Sequence, residues 1–145
     1  MQLKDKVSEH FTYGEVIKTK SGIDNTLPPE YLPRIIATAS YILEPVRSYF
    51  KKPVIINSWW RCKELNDAIK GAPDSQHTKG QAVDFYVVNT PLAEVAQYIR
   101  DNLDFDQLIL EPSWIHCSFV SIRWNRKDVL SYIGGKYQKG LIEVI

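Results

Sequence analysis

Apolar positions recur along the chain with two rhythms, and these predict most of its elements. Over residues 30–50, Leu32, Ile35, Ile36, Ala39, Leu43, Val46 and Phe50 fall at helical spacing. Pro33 suits the first turn of that helix. Pro45 is expected to kink it or end it early, because proline lacks an N–H and crowds the carbonyl four residues back. A shorter helix should begin at Thr12, where Glu15 can close a capping box and Phe11 and Val16 occupy the hydrophobic-staple positions. Residues 22–29 form a loop rich in turn formers.

Val54-Ile55-Ile56 reads as a short β-branched strand, and residues 64–70 as a short helix stopped by Gly71 and Pro73. Residues 81–88 alternate as a strand does. Thr90-Pro91 then resembles an N-cap and first helical position for a helix to about residue 102. Residues 107–111 and 114–120 read as two strands joined by a tight Pro112-Ser113 turn, and nothing after Arg123 has a legible rhythm. Helices come first and a mostly antiparallel sheet second, so the expected class is α+β, with one domain over residues 1–145.

Composition narrows the function classes. An apolar fraction of 44% argues against disorder, and 145 residues fit one core better than two. A net charge of +1, with acids and bases mixed, gives no footprint for nucleic acid. No apolar run is long enough for membrane insertion, and MQLKDKVSEHF lacks a signal-peptide core. Cys62 and Cys117 are isolated and read as reduced thiols.

The chemistry lies in Ser75-Gln76-His77-Thr78-Lys79-Gly80-Gln81-Ala82-Val83-Asp84. A loop histidine is followed seven residues on by a strand aspartate, and Gly80 permits the reversal that brings both to one point. A carboxylate within an apolar strand is costly unless a metal, a cation or hydrogen bonds satisfy it. Across the Pro112-Ser113 turn, Glu111 should face Trp114 and Ile109 should face His116, leaving Glu111 and His116 diagonal on one face. Two histidines and one aspartate leave a fourth zinc position for water, the mark of a catalytic site. Glu111 is then the candidate base, or else a carboxylate that merely satisfies the turn. Arg61 is the candidate cation for a developing oxyanion, or else an ordinary ion-pair partner.

These segments resemble the M15 peptidase family, the zinc D-Ala-D-Ala carboxypeptidases and cell-wall endopeptidases that share a fold with the Hedgehog signalling domain. Ser58-Trp59-Trp60-Arg61, Leu65-Asn66, the stretch from Ser75 to Asp84 and Trp114-Ile115-His116 carry the likeness. Glu9-His10-Phe11-Thr12 and Ile23-Asp24-Asn25 extend it over about residues 8–120, with 121–145 an extension of the same domain. The resemblance implies His77, Asp84 and His116 as zinc ligands, Arg61 as the substrate contact, and Ser75 and Gln76 as residues lining the substrate site. Trp114, beside the last ligand, can both pack and line that site.

Two departures stand out. Ser113 occupies the place where many members carry the catalytic carboxylate, and Trp59-Trp60 replaces the common Gly-Tyr before the arginine; both rings read as packing residues rather than ligand platforms, although the change can reshape the pocket. His10 has no partner pattern and reads as structural. The expected protein is a monomeric zinc peptidase that hydrolyses peptidoglycan stem peptides at the bacterial cell wall, in the manner of a phage lysin or virion enzyme. The alternative is a catalytically silent zinc module that binds wall peptides or a protein partner.

Overall fold

The computed structural model describes residues 1–142. The first helix begins as the pattern predicts. The Glu15 carboxylate accepts from the Thr12 N–H at 2.9 Å, Phe11 and Val16 are buried, and α1 (Tyr13–Val16) is a single turn. The long apolar segment opens with a 3₁₀ turn at Pro29–Tyr31. It then runs through α2 (Leu32–Thr38), a π turn at Ala39–Leu43 and α3 (Glu44–Phe50). The chain therefore stays helical past Pro45 instead of ending early. The Glu44 N–H donates to the Ala39 carbonyl five residues back, and this wider turn takes the proline ring where an α-turn would clash.

The remaining elements are β1 (Val54–Ser58), α4 (Lys63–Ala68), β2 (Ala82–Val87), α5 (Leu92–Asn102), β3 (Gln107–Leu110), β4 (Ile115–Ser118), β5 (Asp128–Ile133) and β6 (Lys136–Lys139). Two helix starts differ from expectation by one residue. Helix α4 opens at Cys62, whose Sγ accepts from the Leu65 N–H at 3.4 Å. Helix α5 is capped by Pro91, whose carbonyl accepts from Glu94 at 3.1 Å, because the Thr90 hydroxyl donates to the Val88 carbonyl.

The strands form one sheet in the order β1-β2-β4-β3-β5-β6, antiparallel throughout except between β3 and β5. The class is α+β, as expected. Strand alternation gives the sheet two unlike faces. Val83, Phe85, Ile115, Cys117 and Leu108 enter a core shared with Ile35, Leu43, Val46, Val95 and Ile99 of the helices. Asp84, His116 and Ile109, which pair across the strands, stand on the opposite face. The register shifts between Ile56 and Ser58, so Ser58 pairs with Asp84 and faces the same side.

The C-terminal hairpin was not legible in the apolar pattern. Gly134 and Gly135, at φ 59° and 79°, form a two-residue turn between the paired Ile133 and Lys136. Two successive positive-φ residues match the twist of paired strands, and Gly-Gly between strand-like residues is a recognisable signal for it. Strand β5 joins β3 rather than β4, so residues 119–127 cross the end of the sheet. Asp104 and Asp106 pin that crossing, accepting from the Asn125 side chain at 3.0 Å and the Arg126 side chain at 2.7 Å. Among the described residues no helix is long and apolar enough to cross a membrane.

After α4 the chain turns tightly against its own helix. The Gly71 N–H donates to the Asn66 carbonyl at 2.8 Å, and a Cβ on Gly71 would overlap the Asn66 side chain. Asn66 cannot simply swing away, because it is buried and donates to the Ala72 carbonyl at 2.9 Å. Gly71→Ala is expected to cost about 1–3 kcal/mol, read as a lowered denaturant midpoint. An unchanged midpoint would show that this turn has slack.

Candidate metal centre

Three elements place the predicted ligands. Ser75 caps a 3₁₀ turn (Gln76–Lys79) by accepting from the His77 N–H at 3.2 Å. Gly80, at φ 72°, reverses the chain into β2, the loop–strand reversal expected from the sequence. Asp84 then lies on β2 directly opposite His116 on β4. The Glu111 N–H donates to the Trp114 carbonyl at 3.1 Å, so the Pro112-Ser113 turn has the expected register.

The geometry tests whether these side chains suit a metal. His77 Nδ1 stands 2.7 Å from the Trp59 carbonyl, which can only accept, so Nδ1 carries the proton and donates. Burial, the largest influence on this ring, pushes its pKa down against the pull of Asp84 and favours the neutral form. Its Nε2 then bears a lone pair, and that lone pair lies 3.2 Å from Asp84 Oδ1. Two acceptors face each other in a buried place, an arrangement that a cation between them relieves. His116 Nδ1 reaches the same oxygen at 2.9 Å, and the ligand atoms of all three residues lie within 4.8 Å of one another. A nitrogen–nitrogen–oxygen donor set with one ring oriented by a backbone carbonyl fits zinc.

Asp84 would be costly to bury alone. Burial opposes its charge, and its carboxyl stays below the usual range only while positive charge and donors at the His77 and His116 positions face it, a role that a bound cation takes over once His77 is neutral. Its second oxygen accepts from Arg61 Nη2 at 3.2 Å. Arg61 is itself fixed, donating from Nε to Ser58 Oγ at 3.0 Å and from Nη1 to Asn66 Oδ1 at 3.4 Å. The β1 bulge and the Gly71 turn therefore both serve the placement of one guanidinium.

Above the ligands lies a cleft of about 540 Å³. All eight residues singled out in the sequence line it: His77, Asp84 and His116, with Arg61, Ser75, Gln76, Glu111 and Trp114 around them. Some of their polar groups are already engaged. The Ser75 hydroxyl caps the 3₁₀ turn, and the Gln76 amide donates to Asp106 at 2.9 Å. Glu111 is half-buried; burial, reinforced by the Asp84 charge, raises its pKa against the opposing pull of His116 and Tyr137.

The rings of Trp59 and Trp60 pack, as expected, and do not line the cleft. Both are buried in the core, Trp60 packs against Tyr31 with ring centroids 4.7 Å apart, and only the Trp59 carbonyl reaches the site. His10 lies outside the cleft and is paired with Glu44 at 2.6 Å. Cys62 and Cys117 are free thiols, and burial pushes the Cys117 pKa far up. Sequence reasoning missed Arg126 and Tyr137, which also line the cleft. Tyr137 follows the Gly134-Gly135 turn, the signal that could have found it. Arg126 had none.

A largely buried His₂Asp cluster at the foot of an open polar cleft could hold a metal ion. The family profile of Peptidase M15 matches residues 9–118, and the chain belongs to this family of peptidases. M15 peptidases are typically zinc-dependent, in keeping with the His77, Asp84 and His116 cluster. The matched span holds all eight predicted site residues but ends before Arg126 and Tyr137. A comparison with curated proteins gave no match.

Elemental analysis of dialysed protein is expected to find about one zinc per chain, lost in His116→Ala. Because a ligand bound only by the folded state stabilises it, chelation should also lower the melting temperature of the wild type and leave that of the variant unmoved. Equal melting temperatures with and without chelator in the wild type would count against the site.

Proposed function

We propose that this chain is a zinc-dependent peptidase that hydrolyses peptide bonds in bacterial peptidoglycan stem peptides. The observation that carries the reading is the convergence of His77 Nε2, Asp84 Oδ1 and His116 Nδ1 beneath a cleft that also holds a half-buried glutamate. Zinc, when bound by these three residues, supplies Lewis acidity for the scissile carbonyl and lowers the pKa of the attacking water.

The remaining work falls to the chain's own side chains. Glu111 accepts the proton of the attacking water and returns it to the leaving amine. Its burial raises its proton affinity towards that role, and Tyr137 lines the cleft beside it. Arg61 keeps Asp84 aligned through Nη2 and places a positive charge on the wall where the carbonyl oxygen becomes negative. Gln76 and Trp114 flank the peptide. Stem peptides carry free carboxylates, and a cleft bordered by Arg61, Lys79 and Arg126 suits such substrates. The whole chain, residues 1–145, acts as one monomeric domain at the cell wall, as a lysin or virion enzyme would. Both carboxypeptidase and endopeptidase action fit an open cleft.

A second reading has one observation in its favour. Ser113, which stands where many relatives carry the carboxylate, is exposed at the turn and absent from the cleft lining. A silent zinc module that binds wall peptides would result if Glu111 did not replace it. Glu111→Gln separates the two. The peptidase reading expects full zinc content and a fall in turnover of roughly 10²–10⁴-fold on soluble stem peptides. Near-normal hydrolysis in that variant would remove Glu111 as base, and no hydrolysis by the wild type would favour the silent module.

A further inference from the structure

Arg61 is the arginine the family resemblance assigns to the substrate, yet here each of its three nitrogens already has an acceptor. Nε donates to Ser58, Nη1 to Asn66 and Nη2 to Asp84, and its side chain is only 13% exposed. Arg126, on the segment that crosses the sheet, is in the opposite condition. Its side chain is 57% exposed and it borders the same cleft.

Its anchorage is unusual for an exposed arginine. Asp106, with its side chain 3% exposed, accepts from the Arg126 backbone N–H at 2.9 Å, from Nε at 3.1 Å and from Nη2 at 2.7 Å. The same carboxylate accepts from Gln76 at 2.9 Å. Gln76, Asp106 and Arg126 thus form one hydrogen-bonded wall running from the residue beside His77 to the cleft rim. Two of the three guanidinium nitrogens face the buried carboxylate, while Nη1 has no hydrogen-bond partner among the described residues. Lys79 also borders the cleft, but it is exposed and its ammonium has no recorded partner among the described residues. A guanidinium locked in place loses little side-chain freedom when it takes a ligand, whereas a free lysine loses much.

We propose that Arg126 is the specificity-determining cation of this cleft, receiving a free carboxylate of the bound peptide through Nη1 while Asp106 holds it in position. This assignment rests on the peptidase reading for the nature of the ligand. It locates recognition in a segment beyond the residues that the family profile matches, and leaves Arg61 to the metal ligand it contacts. The carboxylate can come from the peptide's C-terminus or from an acidic residue within it, and both present the same planar oxygen pair.

The test measures binding, separately from turnover. Zinc-loaded Glu111→Gln protein, with and without Arg126→Gln, is titrated calorimetrically with three synthetic stem peptides. One has every carboxylate free, one is amidated at the C-terminus, and one is amidated at the internal acidic residue. One of the two amidations is expected to weaken binding about ten-fold or more while Arg126 is present, and to have little further effect once it is replaced. The amide that matters identifies the source.

Arg126→Lys guards against loss of fold, since its ammonium can still pair with Asp106 but has no second nitrogen for the peptide. It too should lose the discrimination. An acid-to-amide ratio that survives both substitutions overturns the proposal, and so does indifference to both amidations when Arg126 is present. A lowered melting temperature with an unchanged ratio would reduce Arg126 to a clamp on the crossing segment, which also overturns it. Discrimination by Arg126, together with a zinc-loaded wild type that hydrolyses none of the peptides, would support this assignment while removing the peptidase reading.

Discussion

One buried carboxylate organises this molecule. Asp84 sits on β2, a strand flanked on both sides by others and otherwise almost wholly apolar. Burying an ion there is expensive, and the penalty is met only by partners that approach closely and in good geometry. Arg61 donates to one oxygen, and His77 and His116 converge on the other, where a cation held between them would complete the compensation. Each partner in turn imposes a local requirement: a left-handed Gly80 to return the loop bearing His77, a register shift in β1 to bring Ser58 beneath Arg61, and a glycine at 71 to admit Asn66. Features that look unrelated along the chain are conditions for one ionised side chain to exist inside a sheet.

The same carboxylate also explains why the centre suits a metal rather than a hydrogen-bonded network alone. The Trp59 carbonyl fixes the proton of His77 on Nδ1, so the ring presents a lone pair to Asp84 instead of a donor. Core packing fixes the strand that carries Asp84, and antiparallel pairing fixes His116 opposite it. None of the three can retreat without disturbing the sheet or its core, which keeps the donor atoms together whether or not a cation lies between them. The site is pre-organised by elements whose stability comes from elsewhere, chiefly the apolar face that the sheet shares with the helices.

Beyond the matched family span, the chain completes the cleft. Residues 119–127 cross the sheet end and bring Arg126 to the rim, and the β5–β6 hairpin brings Tyr137 against Glu111. A second buried carboxylate, Asp106, does for this wall what Asp84 does for the floor, gathering Gln76 and Arg126 around itself. The outermost strand, with its charged Lys136 and Lys139, ends the sheet in a form unsuited to further pairing.

Much of this was legible in order along the chain, because the information is local. Helical spacing gave the long helix, alternation gave β2, and the Pro112-Ser113 turn gave the register that sets Glu111 opposite Trp114. The spacing of His77 and Asp84 about Gly80, with a second histidine on a neighbouring strand, gave the candidate ligands. Pro45 was read only as a disruption, since its accommodation depends on a π turn whose hydrogen bond no residue type announces. Trp59 and Trp60 read as packing residues, but the use of the Trp59 carbonyl to orient His77 was not legible, because sequence adjacency says nothing of which backbone group meets which ring. Tertiary structure alone decided that β5 pairs with β3 across the chain's own hairpin, that the nitrogens of Arg61 are taken by its neighbours, and that Arg126 is free to face the cleft. Those outcomes depend on contacts between residues tens of positions apart, and on competition among donors for a few buried acceptors. Neither is encoded in the pattern of any one segment.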